Sequence, residues 1–217
     1  MRYLKLLTLL MAAPFLLVAC SGEPKEQMYD SLEEAVKQEE TFREQQKPLQ
    51  ELEAEEEEIY NQIVELTSEE TEEINKLSEE ALSIVNERSK LLEKEKESIE
   101  AAKEEFDKAE GAAEDLESDA AKEAADKLIE KMDQRYKAYQ ELYDHYQTAL
   151  SLDKELYEML QNEDLTKDDL QAKVDEINES YSAVIEANEQ FNQYTTEYND
   201  LKKGFYEAAE LDVSYEE

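Results

Sequence analysis

The sequence predicts an all-α protein, an elongated antiparallel up-and-down bundle of long helices. Its composition is rich in Glu, Lys, Ala, Leu and Gln, which lose little conformational freedom in a helix, and its 217 residues include only 3 Gly and 3 Pro. Apolar residues recur at helical spacing along most of the chain. Successive segments of about 40 to 45 residues are joined by short connections, which place consecutive helices antiparallel. At 1.5 Å per residue each segment would form a rod of about 60 to 65 Å.

The first helical segment contains one proline that should disturb it. Apolar residues follow helical spacing from Met28 to Leu66, and Pro48 lies between them. Proline removes a backbone hydrogen bond inside a helix and its ring clashes with the preceding turn. We therefore expect a kink or a restart at Pro48.

The number of helices depends on whether the chain turns near residue 67. The run Leu66-Thr67-Ser68-Glu69-Glu70 has the layout of a capping box, with Thr67 as N-cap and Glu70 at N3. The run Leu165-Thr166-Lys167-Asp168-Asp169 repeats this layout after Asn162-Glu163-Asp164, so a turn is better supported there. No Gly or Pro supports the first turn. Four long helices are favoured, and three helices, one of them very long, are the alternative.

The next two segments are also bounded by recognisable signals. Apolar spacing from Ile74 to Ala109 predicts a helix that ends near Gly111, and Ser118 or Asp119 is placed to cap the helix that follows. That following helix carries two adjacent heptad tracks. The first consists of Ile129, Met132, Tyr136, Tyr139, Tyr143, Tyr146, Leu150, Asp153, Tyr157 and Leu160. The second consists of Leu128, Met132, Arg135, Tyr139, Leu142, Tyr146, Ala149, Asp153, Leu156 and Leu160.

Two adjacent tracks make an apolar face that is too wide for a single partner helix, so they favour a bundle. A last track runs from Leu170 to Ala209. The repeat of 3.5 residues predicts left-handed, coiled-coil-like packing. We expect the tail, residues 211–217, to fray.

Tyrosines form a stripe on the helix with two tracks. Tyr136, Tyr139, Tyr143 and Tyr146 step by 3, 4 and 3 residues. If the chain folds back around residue 163, Tyr146 lies opposite Tyr181 and Tyr136 lies opposite Phe191. The stripe is then either a core seam with its hydroxyls at the boundary or a partly open groove whose rings stack on sugars. The candidate ligand contacts are Tyr136, Tyr139, Tyr143, Tyr146 and Tyr181.

Residues for enzyme chemistry are scarce. His145 is the only histidine, and Leu142 stands three residues before it, so the paired Glu-x-x-His motifs of a di-iron carboxylate bundle are missing. One cysteine gives no zinc-ligand spacing, and 3 Gly form no phosphate loop. We therefore expect a non-enzymatic protein without a cofactor and with His145 at the surface.

One acidic run leaves a second possibility open. The stretch Glu51–Glu80 holds 13 acidic residues against one base, Lys76. The usual role of such a run is a solvated helix face. Weak binding of divalent cations is the alternative.

The N-terminus has the layout of a bacterial lipoprotein signal. Arg2 and Lys5 precede an apolar run that ends in Leu17-Val18-Ala19-Cys20, where Cys20 stands at the lipid-accepting position of a lipobox. We expect cleavage of residues 1–19 and attachment of a diacylglycerol to the sulfur of Cys20. The alternatives to a lipoprotein signal are an uncleaved membrane anchor and an ordinary signal peptide in which the cysteine occurs by chance.

This signal sets the organisation of the chain. Residues 20–26 would be a lipidated tether, residues 27–210 the helical bundle, and the protein would sit on the outer face of the cell membrane. Without Arg2 and Lys5, 21 basic residues remain against 59 acidic ones, which is a net charge of about −38. Such a body repels polyanions, so nucleic acid and anionic headgroups are poor partners.

Several segments together resemble one known family. The segments are Leu17-Val18-Ala19-Cys20-Ser21-Gly22, the run Phe42-x-x-Gln45-Gln46-Lys47-Pro48-Leu49-x-x-Leu52-Glu53, and Glu58-Ile59-Tyr60-x-x-Ile63-x-x-Leu66. They resemble the YkyA-type family of Gram-positive bacteria, described as cell-wall-binding lipoproteins with a helical-bundle body. The resemblance implies lipidation at Cys20 and binding to the cell wall.

The charge of the body restricts the wall component that it could bind. Teichoic acids would be repelled, so neutral glycan, peptide stems or bridging Mg²⁺ or Ca²⁺ would be needed. We therefore expect a lipid-anchored protein that binds peptidoglycan or acts as an envelope spacer. The alternative is a scaffold or chaperone-like interaction module for another envelope protein.

Overall fold

A computed structural model describes residues 23–162 and 164–213, and these residues form five helices without any strand. The helices are α1 (Pro24–Gln38), α2 (Glu40–Glu65), α3 (Thr71–Ala113), α4 (Asp119–Leu160) and α5 (Lys167–Ala208). The prediction of an all-α protein is confirmed. The predicted signal peptide and the predicted lipidation site, Cys20, lie outside the described residues.

The chain does turn between α2 and α3, so four helical segments are confirmed over three when α1 and α2 are counted as one interrupted segment. The Glu70 carboxylate accepts hydrogen bonds from the Thr67 backbone N–H at 2.8 Å and from the Thr67 hydroxyl at 3.0 Å. Half of the predicted capping box therefore forms: Glu70 accepts from the Thr67 N–H, but the Thr67 hydroxyl donates to Glu70 and Thr67 is not the N-cap. The helix itself begins at Thr71, because the Glu70 carbonyl accepts the first helical bonds, from Glu73 and Ile74.

The caps of the last two helices agree with the predicted positions. The Thr166 hydroxyl accepts a hydrogen bond from the Asp169 N–H at 3.2 Å, just before α5 begins at Lys167. The Ser118 hydroxyl accepts one from the Ala121 N–H at 3.4 Å, just before α4 begins at Asp119. Each side chain thus satisfies an N–H group that has no partner within its helix.

The break in the first segment lies at Glu39 and not at Pro48. Pro48 lies inside α2, which continues through it to Glu65, so the expected restart there was wrong. Leu49 is buried, and packing of this kind outweighs the hydrogen bond that the proline removes.

The physical reason for the break at Glu39 is a side chain from another helix. The Ser98 hydroxyl of α3 donates to the Gln38 carbonyl and accepts a hydrogen bond from the Phe42 N–H at 3.0 Å. In a regular helix these two backbone groups, four residues apart, would bond to each other. A side chain inserted into the helical ladder interrupts it. Ser98 lies more than 50 residues from Glu39 in sequence, so spacing within α1 and α2 cannot reveal it.

The described residues divide into two compact units. Unit 1 comprises residues 44–95 and 141–187, and unit 2 comprises residues 23–43, 96–140 and 188–213. Helices α2, α3, α4 and α5 contribute residues to both units, whereas α1 belongs to unit 2 alone.

The core of unit 2 is a large cluster of buried apolar residues. Its members come from α1, from α3, α4 and α5, and from the turn between α3 and α4. They are Met28, Tyr29, Leu32, Ala35, Ala102, Phe106, Ala109, Ala113, Leu116, Ala121, Ala125, Leu128, Met132, Tyr198, Phe205, Tyr206 and Ala209. Because α1 begins at Pro24, residues 24–26 of the predicted tether are already helical.

The end of α5 is closed by hydrogen bonds of its own backbone. Glu210 adopts a left-handed conformation with φ 52°, and the Leu211 N–H donates to the Tyr206 carbonyl at 3.0 Å. This is the Schellman arrangement that closes a helix. Leu211 and Val213 pack against the core of unit 2. The expected fraying of the tail, residues 211–217, stays a prediction.

Unit 1 contains a cluster of buried apolar residues from α4 and α5. Leu152, Leu156 and Ile177 are buried together. The side chains packed against them are only partly buried, and they are Tyr60, Leu160, Leu170, Val174 and Tyr181.

Candidate functional site

Unit 1 contains a buried polar cluster around Arg88 of α3. Only 2% of Arg88 is exposed, and its Nη1 donates to Glu56 at 2.5 Å and to Asp153 at 3.3 Å. Its Nη2 donates to the hydroxyls of Tyr146 at 2.9 Å and Tyr181 at 2.8 Å. We call this group of residues, with Glu53, the Arg88 cluster.

The two tyrosines also bridge the cation to carboxylates. The Tyr146 hydroxyl donates to Glu53 at 2.5 Å, and the Tyr181 hydroxyl donates to Asp153. Glu53 lies 3.5 Å from the Arg88 guanidinium as well. Each hydroxyl therefore accepts from the cation and donates to an anion, so the cluster is a connected network.

The Arg88 cluster holds more negative than positive charge, which shifts its pKa values. Burial and the nearby charge of Glu56 raise the pKa of Asp153 to about 7, although Arg88 opposes this shift. Burial also raises the pKa of Glu56. Burial opposes the charge of Arg88, but the surrounding tyrosines and carboxylates raise its pKa well above the usual value. The cation therefore stays charged, and the carboxylates are the groups that titrate.

A further buried carboxyl in unit 1 adds to this imbalance. Glu95 is 4% exposed, and it accepts a hydrogen bond from Gln46 at 2.5 Å. Burial and the charge of Glu53 raise the pKa of Glu95 well above its usual value.

The Arg88 cluster joins α2, α3, α4 and α5, and it offers no site for a metal. The guanidinium occupies the position toward which Glu53, Glu56 and Asp153 converge. Within residues 23–162 and 164–213, no group of three or more His, Cys, Asp or Glu side chains is placed to hold a metal ion. His145 is exposed on α4, as predicted.

Unit 2 contains a related arrangement around Arg135 of α4. Its guanidinium pairs with both carboxylate oxygens of Glu39, at 2.7 and 2.9 Å, and donates to the Thr195 hydroxyl at 2.9 Å. The same group lies 4.9 Å from the ring centre of Phe191. Glu39 is the residue between α1 and α2, so this ion pair connects the break to α4 and α5.

The predicted tyrosine stripe differs in exposure from one ring to the next. Tyr139 is 2% exposed and Tyr146 is 7% exposed, whereas Tyr136, Tyr143 and Tyr181 are half-buried. Buried rings cannot stack on a sugar, so the exposure favours the core seam for Tyr139 and Tyr146. The contact of the half-buried rings with a ligand stays a prediction.

The predicted pairing of the aromatic residues holds at one of its two positions. Tyr146 and Tyr181 meet at Arg88, as expected. In unit 2 the residue opposite Phe191 is Tyr139 and not Tyr136, with ring centres 5.6 Å apart. Phe42 completes this group, 5.9 Å from Tyr139 and 5.8 Å from Phe191.

An open cavity of unit 1 lies between two turns. It measures about 530 Å³ and is formed by the α2–α3 turn, the α4–α5 connection and the helix ends beside them. We call it the turn cleft. Its lining consists of Tyr60, Ile63, Val64, Leu66, Ser68, Thr71, Ile74, Leu160, Gln161, Asn162, Leu165 and Leu170. The volume falls within the range of about 300 to 1,000 Å³ that is usual for ligand sites.

Arg88, Glu95 and the turn cleft are missing from the site that the sequence predicts. The sequence does contain a signal for Arg88 and Glu95 in the apolar spacing of α3. Arg88 lies at helical spacing from Ala81, Ile84 and Leu92. Glu95 lies at helical spacing from Leu92 and Ile99. Charged residues at such positions face the core. Their partners come from α2, α4 and α5, and no local pattern identifies those.

The structure thus defines the class of the protein: an all-helical bundle with networks of buried polar side chains among its described residues. The chain belongs to the YkyA family, whose model, described as "Putative cell-wall binding lipoprotein", matches residues 23–208. An uncharacterized lipoprotein YkyA of Bacillus subtilis (strain 168) is 36% identical over 199 residues, which covers 91% of this chain and 89% of that protein.

A solved structure supports the fold independently. The crystal structure of a conserved protein of unknown function from Staphylococcus aureus matches with a TM-score of 0.75 and 18% identity, over 84% of this chain and 93% of that one. At this identity the likeness shows the fold alone.

Membership of a lipoprotein family implies a membrane-anchored, extracytoplasmic location. Among the helices that the structure describes, none combines the length and the apolar character needed to cross a bilayer.

Proposed function

We propose that this protein is a non-enzymatic lipoprotein, anchored by a diacylglycerol on Cys20 to the outer face of the cell membrane, whose helical body binds peptidoglycan. The observation that carries the proposal is the extent of the family match. Residues 23–208 include every helix from α1 to α5, so the description of the family refers to this whole body.

The charge of the body determines how it would contact the wall. A net charge of about −38 favours neutral glycan and peptide stems over anionic wall polymers. Mg²⁺ or Ca²⁺ would strengthen the contact by bridging exposed carboxylates of the protein to anionic groups of the wall. The half-buried rings of Tyr136 and Tyr143 are the members of the stripe in α4 that a sugar could reach.

A sedimentation assay tests the binding. Residues 21–217 should sediment with isolated peptidoglycan, and more of the protein should do so when Mg²⁺ or Ca²⁺ is added. Tyr136→Ala and Tyr143→Ala should lower the bound fraction, whereas Tyr194→Ala, a half-buried tyrosine of α5 outside the stripe, should not. Absence of the protein from the pellet with and without divalent cations would refute wall binding.

The anchor is tested separately. Cys20→Ala should release the protein from membranes or leave an uncleaved precursor, because a diacylglycerol supplies two acyl chains and two chains suffice for stable anchoring. Incorporation of a labelled fatty acid should disappear with this substitution. Labelling that persists in the variant would contradict lipidation at Cys20.

A second function, an interaction module for another envelope protein, is favoured by the turn cleft. The apolar side chains at this end of unit 1 are incompletely covered, and Val64 is 58% exposed. A partner that fills the cleft would complete this apolar core. Crosslinking in intact membranes tests this function, and a protein that crosslinks to no partner would argue against it.

A further inference from the structure

The turn cleft combines an apolar interior with two polar walls. Seven of its twelve lining residues are Ile, Val or Leu, and Tyr60 adds an aromatic ring. Val64 projects its side chain into solvent more than any other large hydrophobic residue described. Ser68, Thr71, Gln161 and Asn162 supply uncharged polar groups.

The described lining carries no charge, although 38% of the chain is charged. Charged residues begin directly beside it. Exposed acidic residues alternate with the lining residues along both turns, and they are Glu65, Glu69, Glu70, Glu72, Glu73 and Asp164. Two exposed bases, Lys76 and Lys167, lie among these acidic residues, and Lys76 is already paired with Glu73 at 2.8 Å. The cleft is therefore an uncharged apolar floor inside an acidic rim.

These features discriminate between the possible occupants. A second copy of the chain would bring a second charge of about −38 to the same surface, and an anionic lipid would be repelled in the same way. A glycan needs many hydrogen-bonding groups, and aliphatic side chains dominate the floor. An apolar segment that carries positive charge matches both the floor and the rim.

We propose that the turn cleft binds a basic amphipathic segment of another envelope protein, whose apolar side chains fill the cleft while its lysines or arginines face the acidic rim. This inference deepens the second function proposed above. It is independent of the wall binding proposed above, for which Tyr136 and Tyr143 are the candidate contacts.

A synthetic peptide provides the probe. It carries leucines three and four residues apart, so that they share one face of a helix, and lysines elsewhere. Its binding to residues 21–217, which contain all the described helices, is measured by fluorescence anisotropy. We expect saturable one-to-one binding. A peptide with glutamate in place of lysine, and one with serine in place of leucine, should each bind at least about tenfold more weakly.

Two protein variants locate the site. Val64→Arg puts a cation into the cleft at a position that is already exposed, so the fold should tolerate it, and binding of the leucine-lysine peptide should fall by at least about tenfold. Gln62→Arg adds the same charge to the same helix at an exposed position outside the cleft. It should weaken binding by less than about threefold, because exposed charges are screened by salt.

The alternatives give different results. Equal binding of the lysine-serine peptide would mean attraction to charge alone and would overturn the inference. An effect of Val64→Arg on retention by peptidoglycan, without peptide binding, would assign the cleft to the wall instead. A dimer that Val64→Arg dissociates would assign it to a second copy. If the unchanged protein does not bind the leucine-lysine peptide but is retained normally on peptidoglycan, the inference about the cleft is overturned and the proposed wall binding is unaffected.

Discussion

The most consequential single residue of unit 1 is Arg88, because one buried cation pairs with three carboxylates, of which Glu56 and Asp153 are buried with it. Breaking a buried ion pair by removing one partner leaves an uncompensated charge, and the usual cost is about 3 to 5 kcal/mol. Its planar guanidinium reaches two tyrosine hydroxyls and two carboxylates at once, which the ammonium group of a lysine cannot do.

Arg88→Met should therefore lower the free energy of unfolding by about 3 to 5 kcal/mol. Urea unfolding followed by circular dichroism measures the change. Lys90→Met removes the same charge from an exposed position of the same helix and should change stability by less than about 0.5 kcal/mol. An Arg88→Met variant as stable as the unchanged protein would show that the carboxylates do not need this cation.

The buried carboxyls predict how stability depends on pH. The folded-state pKa of Asp153 is raised to about 7, and those of Glu56 and Glu95 are raised as well, mainly by burial. The pKa of these carboxyls in the unfolded state is about 4. At pH values between this pKa and the folded-state pKa, the folded state binds more protons than the unfolded state. The stability that these groups contribute is complete below about pH 4 and is lost as the pH rises through their folded-state pKa values.

We therefore expect a larger free energy of unfolding at pH 5 than at pH 8. Asp153→Asn and Glu95→Gln should reduce this slope, because each removes one titrating group. Asp144→Asn changes an exposed carboxylate of α4 and should leave the slope unaltered. A free energy of unfolding that rises from pH 5 to pH 8 would contradict raised pKa values.

At the scale of single helices, Pro48 is the least favourable residue of α2. It cannot donate the hydrogen bond that other residues of the helix donate, and its ring crowds the preceding turn. Pro24 is different, because it stands at the first position of α1, where no donor is needed.

Pro48→Ala should thus raise the free energy of unfolding by about 1 to 3 kcal/mol, after allowance for the greater freedom of the unfolded chain. Pro24→Ala should bring no gain. Thermal unfolding of both variants makes the comparison. Equal effects at the two positions would show that α2 accommodates its proline without cost.

The helices also show how much a sequence of this kind reveals. Composition and apolar spacing predict the long helices, and capping residues such as Ser118 and Thr166 locate two of their starts. The break at Glu39 and the continuation of α2 through Pro48 were both missed, since each depends on contacts between helices. Asp153 and Arg135 stood out as polar residues on apolar tracks, but their partners Arg88 and Glu39 lie on other helices. The turn cleft arises only when two distant turns come together.

For the whole molecule, the dominant physical property is its negative charge. Exposed carboxylates repel one another, and the repulsion is relieved when the chain unfolds and expands. Salt shortens the range of the repulsion, from a Debye length of about 30 Å at 0.01 M to about 8 Å at 0.15 M.

The melting temperature should consequently rise by several degrees when NaCl is increased from about 0.01 to 0.15 M. For a chain of this size each kcal/mol shifts the melting temperature by about 2 to 4 °C. Sucrose provides a control, because it stabilises proteins by exclusion from their surface and does not screen charge. A melting temperature that stays constant or falls with NaCl would show that repulsion is already balanced.

The ion pairs around Arg88 and Arg135 also bear on alignment along the helix axes. A regular apolar repeat permits two helices to slide past each other by one heptad, about 10 Å, and still bury apolar side chains. In unit 1 Arg88 pairs with residues of α2, α4 and α5, and in unit 2 Arg135 pairs with Glu39 and with α5. A slip of one heptad would separate the charges of each ion pair and leave them buried without a partner. The two arginines therefore specify a single register for helices whose apolar pattern alone would allow several.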